Sequence, residues 1–256
     1  MHALTVGHAL VCAAATGALF AETLRSGSVP QALRAWWVDP AVATVSFSAA
    51  IDFFDRRERA IGCGSDRKFM SAGSLMTLVF SGLLYWIGVT IWVTVVPPPA
   101  APFDNVPFSL GELAYLLSEL VGGVVAYDFV FYCIHIGMHW SNAEAHRVHH
   151  WKEADLRARD VLLHSPLDGT LQVLVNILVQ RNTPWGLTKS RTARILHNVV
   201  VTWMLTESHT ASPEPRLARR FFAGVQRHRM HHTEGKRYYQ QFFGYLDDAR
   251  IALHGR

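Results

Sequence analysis

The chain has 256 residues, of which 50% are hydrophobic and only 17% are charged. Soluble domains usually carry roughly 25% charged residues, so this composition favours a membrane protein. In a soluble protein the net charge of +4 would suggest nucleic acid, but nothing in the chain resembles a nucleic-acid-binding module. An anionic membrane surface and an acidic redox partner explain the charge better. We therefore expect no nucleic-acid partner.

Apolar segments before residue 110 predict transmembrane helices. Residues 73–96 carry no charge, and a helix of that length measures about 36 Å, enough to cross a hydrocarbon core of roughly 30 Å. Residues 2–21 form a further predicted span, and residues 41–54 a shorter one. A cleaved signal peptide is the alternative for residues 2–21, but the basic start of such a peptide is missing. We interpret residues 1–109 as N-terminal transmembrane helices.

The proline-dense stretch 97–107 ends the helix that precedes it and predicts a short exposed turn. Residues 110–134 then form a second long apolar segment. It contains Glu119, and an acid within a membrane segment is by default a candidate functional residue. However, Glu119 lies nine residues before Asp128, near the opposite side of the helix. We therefore interpret Glu119 as a helix-packing residue.

Basic residues predict the orientation in the membrane. The loop at residues 55–68 contains five of them, whereas the proline-dense turn contains none. Cytoplasmic loops carry the excess of lysine and arginine, so the former loop should be cytoplasmic, and His135 should emerge on the same side two spans later. The sequence thus predicts an all-α fold: a multi-pass integral membrane helical protein with a cytoplasmic histidine-rich helical head.

Eleven of the fourteen histidines lie between His135 and His232. They include one H-x-x-x-H motif, at residues 135–139, and two H-x-x-H-H motifs, at residues 146–150 and 228–232. Because positions i, i+3 and i+4 share one side of a helix, each motif brings its imidazoles together. Histidine is a common ligand for zinc, iron, copper and nickel, and eight such residues are too many for one tetrahedral ion. Two metal ions fit better than a solvated histidine-rich surface, since chance rarely writes H-x-x-H-H twice.

Two further patterns bear on this predicted site. The three cysteines, Cys12, Cys63 and Cys133, are isolated, so the ligands should be nitrogen-rich and free of sulfur. Asp128 and Tyr132 lie on the same helical stripe as His135, and we expect them to orient its ring. The alternative is a polar pair that closes the end of the helix.

The order and spacing of these motifs resemble the fatty acid hydroxylase and sterol desaturase superfamily. The pattern begins with D-x-x-x-Y-x-x-H-x-x-x-H at residues 128–139 and continues with both H-x-x-H-H motifs. HSPLDGTLQ at residues 164–172 and ESHT at residues 207–210 are similar to two further segments of that family. The resemblance covers roughly residues 110–256, which we interpret as a fatty acid hydroxylase-like domain with three histidine boxes.

The resemblance implies a membrane oxygenase in which two non-haem iron ions use O2 to hydroxylate or desaturate a lipid hydrocarbon, such as a sterol or fatty acyl chain. For His164 the alternative is that it orders the turn before Ser165 and Pro166. The implied metal ligands are His135, His139, His146, His149, His150, His164, His209, His228, His231 and His232.

An inert C–H bond cannot be broken by side-chain acids or bases, so a redox-active metal must supply the oxidising power. The chain has no dinucleotide fingerprint, no cysteine cluster and no haem-attachment motif. We therefore expect electrons from a separate protein of the ferredoxin, rubredoxin or cytochrome b5 type. The expected location is the bacterial inner membrane or the endoplasmic reticulum. Residues 171–179 and 195–205 should lie in the membrane interface.

A non-catalytic membrane protein that binds or transports metal is the competing hypothesis. Transport predicts ionisable residues along the spans, yet residues 73–96 contain none. A haem protein would need one axial histidine on each side of the ring, which adjacent clusters do not offer. The sequence therefore favours the oxygenase over the transport and haem alternatives.

Overall fold

The computed structural model describes residues 37–62, 109–141, 144–152, 156–211 and 222–254, with isolated helical positions at 83, 86–88 and 91. Within these residues there are helices and two isolated bridges but no strand, which confirms the predicted all-α class for this part of the chain. The predicted span at 2–21 lies outside the described residues, as does most of the one at 73–96. The α-helices are α1 (Val38–Ala60), α2 (Leu110–Trp140), α3 (Glu144–Arg147), α4 (Pro166–Arg181), α5 (Arg191–Ser208), α6 (Gly224–Glu234) and α7 (Tyr245–His254).

Helix α2 is the long helix that leads into the histidine-rich region. It begins at a capping box, in which the Glu112 N–H donates to Ser109 Oγ and the Ser109 N–H donates to the Glu112 carboxylate. Its 31 residues extend for about 46 Å. Among the described residues α2 alone is long and apolar enough to cross a membrane. The predicted span 41–54 lies within α1. This segment is helical, but α1 is not apolar enough to qualify as a membrane-spanning helix.

Helices α4 and α5 both pack along α2, and Asn198 Oδ1 on α5 accepts hydrogen bonds from Asn176 Nδ2 and Gln180 Nε2 on α4. Each begins at a serine cap: Ser165 Oγ accepts from Asp168 N, and Ser190 Oγ accepts from Ala193 N. These helices contain the apolar stretches 171–179 and 195–205. Their location in a membrane interface stays a prediction. In the structure, the helices that contain these two stretches pack against α2.

Helix α1 runs parallel to α5 and is held at both ends. At the start of the two helices, Arg191 Nη2 lies 3.7 Å from Asp39 Oδ1. At their other end, the buried Glu58 carboxylate accepts hydrogen bonds from Thr210 Oγ1 and Ala211 N, both 2.7 Å. The second contact fixes the chain just beyond His209, so α1 helps to set the position of one histidine of the site.

Buried aromatic rings fill the space between α2, α4 and α5. Tyr127 stacks on Phe131 and Phe242, with ring centroids 6.0 and 5.5 Å apart. Aliphatic side chains from α1, α4 and α5 complete this core. The Phe131 ring centroid lies 5.2 Å from that of His135. The histidine-rich region therefore rests directly on the hydrophobic core, which restricts the movement of its first residue.

Glu119 contacts another helix, as the sequence predicted. Its buried carboxylate accepts hydrogen bonds from the backbone N–H and the hydroxyl of Ser190, at the start of α5. Nearby, Lys189 is also completely buried, with its Nζ 3.2 Å from His197 Nδ1. These polar groups join α2 to the start of α5, one turn from Gly123 and far from the histidine boxes.

Candidate metal centre

Nine of the ten histidines predicted as ligands converge into two groups. Within each group, one ligand atom per residue lies within 4.8 Å of the corresponding atoms of the others. The two groups adjoin, since the ring centroids of His150 and His232 are 4.4 Å apart. The first group contains His135, His139, His146, His150 and His231, and the second contains His149, His209, His228 and His232.

Each H-x-x-H-H box contributes to both groups, which the sequence did not predict. On α6, His228 and His232 point into the second group and His231 into the first, because positions i+3 and i+4 diverge by roughly 100° around a helix. The other box is not one helix: α3 ends at Arg147, and a 3-10 turn begins at His149. Each box therefore supplies histidines to both groups, and neither group is formed by a single box.

His164, the tenth predicted ligand, belongs to neither group. It is buried just before α4, and burial lowers its pKa, while the neighbouring Asp168 and a hydrogen bond with the Ser165 backbone raise it. This position agrees with the alternative in which His164 orders the turn before Pro166. A ligand role for it stays a prediction.

Backbone carbonyls fix the orientation of four of the rings. A carbonyl oxygen only accepts hydrogen bonds, so each of these rings carries its proton on Nδ1 and leaves a lone pair on Nε2. The acceptors lie 2.8 to 3.0 Å from the ring nitrogens. The pairs are His135 with Tyr239 O, His149 with Leu163 O, His209 with Leu205 O, and His231 with Arg237 O.

The remaining ring nitrogens then face one another without a proton between them. His149 and His209 both donate through Nδ1, and their Nε2 atoms are 3.4 Å apart. Two lone pairs at this distance repel each other unless a cation lies between them. Metal to imidazole bonds of about 2.1 Å would place two ligand nitrogens roughly 3.0 Å apart at a right angle and about 3.4 Å apart at a tetrahedral angle.

Other pairs of nitrogens match the same spacing. In the first group His135 and His146 are 2.9 Å apart, and His139 and His231 are 3.2 Å apart, measured between Nε2 atoms. In the second group His228 Nε2 lies 3.1 Å from His209 Nε2. The residues present therefore fit one metal ion in each group.

Burial keeps these histidines neutral. It lowers the pKa of His149, His228 and His231 well below the ordinary value, and the neighbouring imidazoles lower it further. For His150 and His209 burial lowers the pKa to about 4. Since neutral imidazole is the form that binds metal, the rings are ready to act as ligands near neutral pH.

Asp168, which the sequence reasoning missed, supports the first group. Its completely buried carboxylate accepts a hydrogen bond from His146 Nδ1 at 3.0 Å, and Gln172 Nε2 donates to its other oxygen. Burial alone would raise the pKa of Asp168, but the hydrogen bond from His146 and the nearby His149 hold it below its usual range. A carboxylate behind a ligating histidine fixes the ring and raises its basicity. In the sequence, the only indication of this role was the position of Asp168 in HSPLDGTLQ, residues 164–172, a segment similar to one in the family.

Asp128 and Tyr132 do not orient His135 directly, which corrects the expectation from the sequence. Both ring nitrogens of His135 are directed elsewhere, to Tyr239 O and to His146 Nε2. Asp128 lies seven residues earlier on α2, about 10 Å along the axis, so it shares the stripe of His135 without reaching the ring. Tyr132 is half-buried beside α7, near Asp247. Asp128 is bonded instead to residues 240–243.

The fold and the site define a helical protein with a paired histidine centre suited to metal ions. The model of the fatty acid hydroxylase family matches residues 120–250, just over half of the chain. The chain belongs to this family, within the fatty acid hydroxylase and sterol desaturase superfamily. The match includes all nine clustered histidines. No curated protein and no solved structure matches the chain.

Membership of the family carries functional implications. The family is membrane-associated and typically iron-dependent. Membership of the family implies that the protein is an oxygen-dependent oxidoreductase. The two histidine groups agree with this class, because they fit metal ions.

Proposed function

We propose that this protein is a membrane-bound non-haem di-iron oxygenase that hydroxylates or desaturates a lipid hydrocarbon. In this proposal one iron ion is held by each histidine group, O2 is the co-substrate, and a separate electron-transfer protein of the ferredoxin, rubredoxin or cytochrome b5 type supplies the electrons. Family membership supports the reaction class.

The observation that carries the proposal is the pair of adjoining groups with converging ring nitrogens. Five and four histidines respectively surround two positions, and a single tetrahedral ion would need no more than four ligands. Iron suits nitrogen ligands and can change oxidation state, whereas zinc cannot. When bound, iron would supply the oxidising power for attack on a C–H bond.

The residues of the chain would hold and shield this centre. Carbonyls and Asp168 keep the ring nitrogens aimed inward, so little reorganisation is needed when the ions bind. Most of the histidines are buried on the hydrophobic core formed by Tyr127, Phe131 and their neighbours. Exclusion of bulk water protects a reactive centre from side reactions.

Membrane attachment is part of the proposal. Helix α2 exposes apolar side chains at four-residue intervals, at Leu113, Leu117, Val121, Val125 and Phe129, and such a stripe suits contact with lipid tails. We place residues 1–109 in a transmembrane region and residues 110–256 in the catalytic domain. Several spans would hold the histidine boxes on the cytoplasmic side of the bacterial inner membrane or the endoplasmic reticulum.

Metal content and lipid turnover test the proposal together. The purified full chain, grown with iron, should contain about two iron ions and should consume O2 as it modifies lipid in the presence of reduced donor protein. His231→Ala, in the first group, and His149→Ala, in the second, should each abolish turnover. Arg147→Ala is the matched control, because Arg147 lies between the histidines of one box but is exposed.

Two outcomes contradict the proposal. Turnover that survives either histidine substitution would exclude the paired centre as the catalyst. A wild-type chain that holds metal but never oxidises lipid would favour the non-catalytic metal-binding or transport protein instead.

A further inference from the structure

The segment between α6 and α7 connects several parts of the histidine site. We call residues 237–243 the strap. Two of its carbonyls accept from ligands of the first group: Arg237 O from His231 Nδ1 and Tyr239 O from His135 Nδ1, both at 2.8 Å. The strap therefore fixes the proton position on two rings that come from different helices, α2 and α6.

Two buried carboxylates hold the strap in place. Asp128 Oδ1 accepts from the N–H groups of Gln241 and Phe242 at 3.0 and 2.7 Å. Its Oδ2 accepts from Gln240 Nε2 at 2.6 Å and from Phe243 N at 3.3 Å. A carboxylate that accepts four hydrogen bonds uses nearly all of its capacity on one short segment.

Asp247, from α7, holds the part of the strap nearest the rings. Its two oxygens accept from Tyr239 N at 2.9 Å and from Gln240 N at 2.8 Å. The backbone of Tyr239 is thus held at two points, at its N–H by Asp247 and at its carbonyl by His135. Movement of Asp247 would therefore be transmitted to the His135 ring.

A strained residue lies between the two accepting carbonyls. Tyr238 has φ of 60°, in the left-handed region, which is unfavourable for a residue other than glycine. Such a conformation persists only where the surrounding contacts impose it, and it occurs preferentially at functional sites. The hydrogen bonds to Asp128 and Asp247 are contacts of this kind.

The strap contacts the second group only indirectly, through Ser208. Gln241 Nε2 donates to Ser208 Oγ, which lies 3.2 Å from His209 Nδ1. His209 also donates to Leu205 O, within its own helix. The orientation of the His209 ring therefore does not depend on the strap, in contrast to the orientations of His135 and His231.

We propose that Asp128 and Asp247 are positioning residues for the first histidine group, acting through the strap on His135 and His231. They keep the Nδ1 atoms of both rings protonated and their Nε2 lone pairs directed at one point. Loss of a partner of this kind typically lowers metal affinity by about 10- to 100-fold. The inference rests on the proposed metal centre. It states that the two aspartates affect metal binding at the first histidine group and not at the second.

Glu119→Gln provides a matched control for Asp128→Asn. Both acids lie on α2, both are completely buried, and both accept hydrogen bonds from backbone N–H groups. However, Glu119 holds the start of α5, at the opposite end of that helix from His209, and its hydrogen bonds go to Ser190 and not to the strap. Both substitutions should reduce stability, but only Asp128→Asn should alter metal binding selectively.

The experiment is a titration of the detergent-purified full chain, stripped of metal, with Co²⁺ alone, followed by its visible absorption. Wild-type protein and Glu119→Gln should bind two equivalents. In Asp128→Asn one equivalent should bind as in wild type and the other about 10- to 100-fold more weakly. Asp247→Asn, which keeps the bonds to Asp128, should give the same selective effect and replaces Asp128→Asn if that variant does not fold.

Several results would overturn the inference. Unchanged affinity for both equivalents in the two aspartate variants would show that the strap does not control the rings. An equal weakening in Asp128→Asn and Glu119→Gln would reduce the effect to general destabilisation. A wild-type chain that binds no Co²⁺ would remove the metal centre and the inference with it, whereas two bound ions without lipid turnover would contradict the oxygenase proposal alone.

Discussion

Gly123→Ala tests whether the buried polar contacts between α2 and α5 stabilise the fold. A Cβ at this position would lie 2.1 Å from Lys189 Nζ and 3.1 Å from His197 Nδ1. The lysine end would have to move, but Lys189 is completely buried and its charge is attracted by Glu119. We therefore expect the substitution to separate this ammonium group from its partners.

The expected size follows from two opposing effects. Alanine gains about 1 kcal/mol over glycine within a helix, whereas separating a buried charged group from its hydrogen-bond partner costs roughly 3 kcal/mol. The net loss of about 2 kcal/mol should lower the melting temperature by about 6 °C, since each kcal/mol corresponds to roughly 2–4 °C in a chain of this size.

Gly137→Ala is the matched control for this measurement. Gly137 lies on the same helix, and a Cβ there would meet nothing within 4 Å, so only the favourable helix effect of about 1 kcal/mol remains. Thermal unfolding of both variants in the same detergent measures the difference. If Gly123→Ala melts at the same temperature as Gly137→Ala, Lys189 can relocate freely and the reasoning about the buried charge fails.

Two further predictions concern the histidine site. Protein stripped of metal should lose stability as the pH falls from about 6.5 to about 4, because burial lowers the pKa of His209 to about 4 and the unfolded chain then binds more protons; that residue alone accounts for roughly 3 kcal/mol, and a flat unfolding free energy between pH 7 and 4 would contradict this. Asp168→Ala should weaken one Co²⁺ site about 10- to 100-fold by releasing His146, with a smaller effect for Asp168→Asn; equal affinities in the three proteins would argue against a supporting role.

The sequence predicted the parts of the site that depend on local spacing. His135 and His139 lie on one continuous helix, so their shared side follows from the i, i+4 relation alone. The same rule was insufficient for residues 146–150, because the helix ends at Arg147 before the box is complete. A four-residue helix followed by a 3-10 turn has no clear signature in the amino-acid pattern.

The supporting groups could not be predicted for a different reason. Tyr239 and Arg237 act through their carbonyl oxygens, and every residue has a carbonyl, so side-chain identity gives no signal. The role of Asp128 depends on a segment more than one hundred residues away. Helical periodicity identified Asp128 as a residue on the histidine side but could not identify the backbone that it binds.

The contact between His135 and Tyr239, 104 residues apart, also orders the events of biosynthesis. The early histidines leave the ribosome long before α6 and the strap, so neither group has its full set of histidines until residues 231 and 232 have been synthesised, and His135 gains its carbonyl partner only after residue 239. Closure of so long a loop is slow compared with helix formation. Metal insertion into a complete centre is therefore a late step, which follows the folding of the carboxyl-terminal helices onto α2.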